Sequence, residues 1–269
     1  AASDVYKRQI LVLARPQTTN KWQNSEIEGI DIMLAIDVST SMLAEDLKPN
    51  RLEAAKDVAA EFINGRPNDN IGITLFAGET FTQCPLTVDH AVLLDMIHNI
   101  KCGLITDGTA VGMGIANAVT RLKDSKAKSK VIILLTDGTN NKGDISPMTA
   151  AEIAKSFGIR VYTIGVGTNG MAPYPYPVGN TVQYVSMPVE IDEKTLTEIA
   201  GTTDGNYFRA TSNSKLKEVY EEIDKLEKTK LNVKEYSKRD EEYHWFALAA
   251  FLCVLLEVLL RNSVLKKIP

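Results

Sequence analysis

The segment Ile30-Asp-Ile-Met-Leu-Ala-Ile-Asp37 sets the first constraint on the fold. It is apolar on both faces of an extended chain, the pattern of a strand buried in a parallel sheet. It ends in Asp37, and Ser39 and Ser41 follow at alternate positions. Open α/β sheets bind ligands at the carboxyl ends of their strands, so these three side chains fall where a ligand would sit. Oxygen-only ligands on a tight loop suit a hard divalent cation, Mg²⁺ above all. Alone, Asp-x-Ser-x-Ser is also an ordinary turn or helix cap. A second segment, Lys130-Val-Ile-Ile-Leu-Leu-Thr136-Asp137-Gly138, repeats the grammar of buried strand, carboxylate and glycine. Between the two, Gly108-Thr109-Ala-Val-Gly112 puts a hydroxyl on a glycine-flanked loop that opens a helix. Three separate loops can therefore converge on one cation.

The rest of the chain is consistent with such a sheet. Periodicity predicts strands over 29–37, 130–136, 160–165 and 205–209, and an antiparallel edge hairpin of 70–77 with 80–83. It predicts helices over 50–63, 88–100, 111–122, 146–157, 192–200 and 214–230. Asn50 caps the first of these, Leu52, Ala55, Val58, Ala59, Phe62 and Ile63 form its apolar face, and Asn64-Gly65 ends it. Alternating strands and helices imply an α/β fold, a doubly wound, mostly parallel sheet with helices on both faces. Residues 167–188 break the alternation. Met171-Ala-Pro173-Tyr-Pro175-Tyr-Pro177 cannot continue a helix and reads as an extended, polyproline-like insertion. Two readings of it stand equal: a rigid strip that presents tyrosines to a partner, or a surface loop over a sheet edge.

Several function classes are excluded. The formal charge of −4 over 269 residues, with no dense basic patch, excludes nucleic acid as a partner. Gly165-Val-Gly167-Thr-Asn-Gly170 matches a dinucleotide fingerprint, but the prolines that follow forbid the helix it requires. His90, His98 and His244 are scattered, with no nucleophile placed beside them. Asp107 and Asp144 flank the candidate site and read as solvated loop residues, with support of the site as the alternative. Cys84, Cys102 and Cys253 follow no metal-binding spacing and give little support to a Cys84–Cys102 disulfide.

The ends differ from the middle. Residues 245–260 are apolar except for Glu257, with Tyr243 and Trp245 on one side and Arg261 on the other, and read as a transmembrane helix over 243–262. Residues 263–269, with Lys266 and Lys267, form a basic tail that the positive-inside rule assigns to the cytoplasm. The preceding domain then lies on the opposite, periplasmic or extracytoplasmic side. Ile10-Leu-Val-Leu-Ala-Arg15-Pro16-Gln17 resembles the tail of another apolar span, so 1–17 reads as the remnant of a truncated membrane segment.

The pattern Asp37, Ser39, Ser41, Thr109 and Asp137 resembles the metal-ion-dependent adhesion site of von Willebrand factor A (VWA) domains, and the likeness extends over about 29–230. The run from Ser41 through Pro49-Asn-Arg-Leu-Glu-Ala-Ala-Lys56 resembles the bacterial aerotolerance-operon membrane proteins called BatA. So do Leu135-Thr-Asp-Gly138, the Tyr/Pro insertion before Ile191-Asp-Glu, and Gly205-Asn-Tyr-Phe-Arg-Ala210. The resemblance implies an inner-membrane protein that works with other Bat-type proteins and a MoxR-type AAA+ ATPase. It implies Mg²⁺, or another divalent cation such as Mn²⁺ or Ca²⁺, held by Asp37, Ser39, Ser41, Thr109 and Asp137, with the carboxylates bound directly or through water. A position would remain for an acidic residue of a partner protein, with membrane lipid around the anchor. The expectation is a binding module without catalytic residues. The alternatives are a metal-assisted hydrolase, for which the sequence offers no general base, and a membrane scaffold with a non-functional site.

Overall fold

Strand β1, Asp31–Asp37, is buried along its whole length. Its even residues Ile32, Leu34 and Ile36 enter one core and its odd residues Met33 and Ala35 another, as the two-residue period of a strand dictates. Each such large aliphatic side chain removed from water contributes about 1.5–3 kcal/mol. This is why the segment needs no polar alternation.

The computed structural model describes residues 29–178 and 181–235, together with the isolated positions 251, 255 and 258. After β1 come a 3₁₀ turn, Thr40–Leu43, helix α1, Arg51–Asn64, and strands β2, Asn70–Phe76, and β3, Thr80–Thr87. Helices α2, His90–His98, and α3, Val111–Leu122, precede strand β4, Lys130–Thr136. Then follow α4, Pro147–Ser156, β5, Ile159–Val166, and a pair of strands, β6, Met171–Val178, and β7, Thr181–Pro188. Helix α5, Glu193–Thr202, strand β8, Tyr207–Ala210, and helix α6, Asn213–Glu235, complete the order.

The main sheet runs β3-β2-β1-β4-β5-β8, parallel except for β3. Helices α1, α2 and α6 pack on the face of Ile32 and Ile36, while α3, α4 and α5 pack on the face of Met33. The expected α/β sheet flanked by helices is what forms. Side-chain caps start the helices where the sequence placed them: Asn50 accepts from the Glu53 amide at 2.8 Å, and Ser146 from the Thr149 amide at 3.1 Å. The chain leaves β1 toward β2 and returns on its other side as β4, so the crevice between the carboxyl ends of β1 and β4 is a topological switch point.

One expectation is corrected. Residues 171–188 are not a polyproline strip but an antiparallel hairpin of β6 and β7, forming a second, two-stranded sheet. Alternate prolines place every missing N–H on one edge of β6, so the other edge can still pair.

The chain divides into two compact units, Glu26–Asn232 and a second made of Ala1–Ser25 with Val233–Pro269. In the second, positions 251, 255 and 258 are helical, and Phe251, Leu255 and Val258 are exposed. Among the described residues no helix is long and apolar enough to cross a membrane. The expected segments 1–17, 243–262 and 263–269 otherwise lie outside the described residues.

Glycine 112, in the first turn of α3, fixes how closely that helix meets the loop after β4. A Cβ there would lie 2.1 Å from the Ile145 carbonyl oxygen. Gly112→Ala is expected to lower stability by about 1–3 kcal/mol and to displace the adjacent Thr109 loop. Urea denaturation measures the first effect, and an unchanged midpoint would refute it.

Candidate metal centre

The three loops meet at the switch point. Asp37 ends β1 and is fully buried. Its Oδ1 accepts from the Ser39 amide at 2.9 Å, and its Oδ2 accepts from the Thr136 hydroxyl at 2.6 Å. The 3₁₀ turn then carries Ser41 back over the strand end. Ser39 Oγ and Ser41 Oγ lie 2.9 Å apart, and Ser41 Oγ donates to Asp137 Oδ1 at 2.7 Å. Thr109 is buried on the third loop, and its Oγ1 lies 3.3 Å from where a Cβ on Gly138 would stand. That loop is clipped to the segment after β4: the Thr109 amide donates to Asn141 Oδ1 at 2.9 Å, and the Thr109 carbonyl accepts from the Asn141 amide at 3.0 Å. All five residues singled out in the sequence are thus at one place.

Three further groups complete the arrangement. Arg51, the first residue of α1, is buried and donates from Nη1 to Asp137 Oδ2 at 2.6 Å. Its Nε and Nη2 form a two-pronged pair with Asp46, both at 2.7 Å. Asp46 Oδ2 also accepts from the Thr168 amide at 2.8 Å. Gly167 has φ +143°, and a Cβ there would stand 2.8 Å from Arg51 Nη2, so glycine leaves room for the guanidinium. Asp107 is exposed, as a solvated loop residue would be, and it also supports the loop after β1 by accepting from Thr40 N at 3.0 Å and Thr40 Oγ1 at 2.8 Å. Burial works against its charge, but the Thr40 bonds outweigh this and hold its carboxyl below the ordinary value. Asp144 is exposed.

The sequence hid Arg51. A cation in the first turn opposes the helix dipole, and that cost was the available sign that acids must face it. Cys84 and Cys102 are free thiols. Cys102 Sγ lies 3.5 Å from the Ser39 carbonyl, and burial, with the charges of Asp37 and Asp137, pushes its thiol up to about 12. In the metal-free domain it is therefore a neutral thiol beside the site.

The electrostatics are unbalanced. Burial, reinforced by the charge of Asp137, pushes Asp37 up to about 7. Burial also pushes Asp137 up, opposed by the Arg51 guanidinium. Asp137 has the Arg51 guanidinium beside it, whereas Asp37 has no cation of its own. Folded Asp37 holds its proton more tightly than the unfolded chain does. Stability without metal is therefore full below the ordinary carboxyl value of 3.8, falls as pH rises from there to about 7, and levels off above. The expected loss is on the order of a few kcal/mol. Urea midpoints in EDTA between pH 4 and 8 measure it, and a flat profile would contradict it.

The donor set suits a hard divalent ion: hydroxyls from Ser39, Ser41 and Thr109, and carboxylates from Asp37 and Asp137. Among the described residues no three of His, Cys, Asp or Glu cluster as a metal site; the five residues here offer two carboxylates and three hydroxyls.

A family model, the von Willebrand factor type A domain, matches residues 31–222. The chain belongs to this family. Among solved structures, this VWA domain is similar to the conserved hypothetical protein BatB from Bacteroides thetaiotaomicron, with TM-score 0.65 and 34% identity over 74% of this chain and all of that one. An aerotolerance-related membrane protein from Bacteroides fragilis gives TM-score 0.65 and 32% identity, over 73% of this chain and 98% of that one. The VWA domain is therefore of the Bat-like kind. Proximal thread matrix protein 1 of the mussel byssus, whose metal-ion-dependent adhesion site (MIDAS) holds zinc, gives TM-score 0.59 and 25% identity, over 74% of this chain and 45% of that one. A curated UPF0353 protein of Mycolicibacterium paratuberculosis is 32% identical over 203 residues, 70% of this chain and 58% of the relative, so the chain spans about six-tenths of its length.

Proposed function

We propose that this VWA domain is a cation-dependent protein-interaction module. Asp37, Ser39, Ser41, Thr109 and Asp137 hold Mg²⁺ or a similar divalent ion, Mn²⁺ or Ca²⁺, and an acidic residue of a partner protein completes its coordination. The observation that carries this reading is the pair of buried carboxylates, Asp37 and Asp137, with hydroxyls placed around them and a guanidinium on Asp137 only. When bound, the ion would supply positive charge beside Asp37 and Asp137. The residues orient around it: Thr136 and the Ser39 amide fix Asp37, and Arg51 fixes Asp137. The zinc-holding relative from mussel byssus supports the cation, and the Bat-like neighbours support a membrane setting.

In this reading residues 243–262 anchor the chain in lipid at the bacterial inner membrane. The domain faces the extracytoplasmic side, and its partners are other Bat-type proteins together with a MoxR-type AAA+ ATPase. A hydrolytic role would need a base near the ion, whereas His90 bonds the Asp69 carbonyl at 3.0 Å and His98 is exposed. Crosslinking and pull-down from membranes test the reading. Capture is expected to fall at least tenfold in EDTA, to return with Mg²⁺, and to fall equally in Ser41→Ala. Capture indifferent to EDTA would sink it.

A further inference from the structure

Among the described residues the β6–β7 hairpin has one blunted edge and one open edge. Its register sets Pro173 opposite Ser186, Pro175 opposite Tyr184 and Pro177 opposite Val182. Proline has no N–H, so these are the pairs that exchange no ladder bonds, and their backbone groups point outward on both strands. The Pro173 carbonyl confirms the direction by accepting from the Glu45 amide at 2.9 Å. On β6 the outward edge therefore lacks a donor at 173, 175 and 177. On β7 the outward N–H and C=O groups of Val182, Tyr184 and Ser186 meet no backbone partner among the described residues.

Folded proteins usually blunt such an edge with lysine, proline or a bulge. Here β6 is blunted and β7 is not. Its eight residues, Thr-Val-Gln-Tyr-Val-Ser-Met-Pro, carry no charge in a chain that is 24% charged. Val182 and Tyr184 are exposed by 58% and 60%, and Val185 and Met187 on the opposite face by 47% each. The hairpin is also tied to the candidate metal centre. Glu45, four residues after Ser41, donates its amide to Pro173, and its carboxylate beside the Tyr184 phenol raises that phenol above its ordinary value.

The geometry points to strand addition: an extended segment of the partner protein, with alternating apolar side chains and an acidic residue at one end, pairs with the open edge of β7. The placement of the acid rests on the function proposed above, and the strand pairing does not. A second copy of this chain is the weaker occupant. Pairing β7 with itself about Tyr184 would bury a strip only about 27 Å long and about 5 Å wide on each copy, a few hundred Å² at most and short of the roughly 1,200–2,000 Å² of a stable interface. A partner already held at the cation needs only a short strand in addition.

The test uses the full chain in detergent and a synthetic decapeptide of alternating valine and threonine ending in aspartate, with two controls. One control carries N-methyl groups along one edge, and the other ends in alanine. In Mg²⁺ the plain peptide is expected to slow hydrogen exchange of the Val182, Tyr184 and Ser186 amides at least tenfold. The N-methylated peptide should not, and Ser186→Pro or Val182→Lys should each weaken binding at least tenfold. Val182→Lys keeps every backbone donor, so the two variants guard against a folding defect in either. Equal binding of the N-methylated peptide, or unprotected amides at saturation, would overturn strand addition. Protection that grows with protein concentration and needs no peptide would overturn it in favour of a dimer. Equal binding of the aspartate and alanine peptides in Mg²⁺, with the amides still protected, would refute the acid at the cation and leave the strand pairing standing.

Discussion

Arg51→Met is expected to destabilise the domain by about 3–5 kcal/mol, the usual cost of removing one partner from a buried ion pair. Its guanidinium faces two carboxylates, and the side chains of Arg51, Asp46 and Asp137 are 4%, 2% and 0% exposed. Methionine fills the volume but leaves both acids without a counter-charge. Asp46 keeps only its bonds from Thr168 and from the Leu47 amide. Against a total stability of about 5–15 kcal/mol, the loss is a large fraction. Arg51→Lys is expected to recover part of it, because a lysine restores the charge but cannot span Asp46 with two prongs while reaching Asp137. The deficit should shrink in acid, where the carboxylates are protonated, and a saturating divalent cation should relieve it by giving Asp137 a new counter-charge. Urea denaturation at pH 5 and pH 8 reads all of these. A loss under 1 kcal/mol at pH 8 would mean that the buried pair is not what holds this corner together.

Asp37→Asn is expected to have the opposite sign on stability and the larger effect on binding. The amide is isosteric. Its oxygen can still accept from the Ser39 amide, and the Thr136 hydroxyl can turn to accept from its NH₂. At pH 8 the wild-type domain must keep Asp37 ionised against burial and against Asp137, a cost the variant does not carry. In EDTA the variant should therefore be the more stable of the two. With cation at a hundredfold excess over its dissociation constant, the wild type should gain about 2.7 kcal/mol, and the variant nothing measurable. Thermal melts with and without Mg²⁺, together with calorimetric titration, provide the comparison. An undiminished cation response in Asp37→Asn would remove Asp37 from the metal centre.

Much of this arrangement was legible because it follows from strand ends. A segment apolar on both faces must be buried in a parallel sheet, and a carboxylate at its end must then face the crevice. Asp37 and Asp137 could be paired on that ground alone, and Ser39, Ser41 and Thr109 followed from the loops around them. Arg51 was not legible. Helical periodicity assigns a face to a charged residue but not a partner, and the acids that bury it come from positions 46 and 137. The partner of Asp107 was not legible for a similar reason, since Thr40 lies 67 residues away. The hairpin was misread because proline at alternate positions satisfies both a polyproline strip and one edge of a strand. Only the pairing with 181–188 separates the two, and pairing across a turn leaves no period in the sequence.

The corner formed by Asp37, Asp46, Asp137 and Arg51 also has a charge stoichiometry. With all three carboxylates ionised, the one guanidinium leaves two negative charges, which is the charge of one divalent cation with its sign reversed. A monovalent ion leaves the corner negative, and a trivalent ion overshoots it. Selection among cations can thus begin with valence before size or geometry enters. Arg51 sets that number: without it the same three carboxylates would call for three positive charges rather than two.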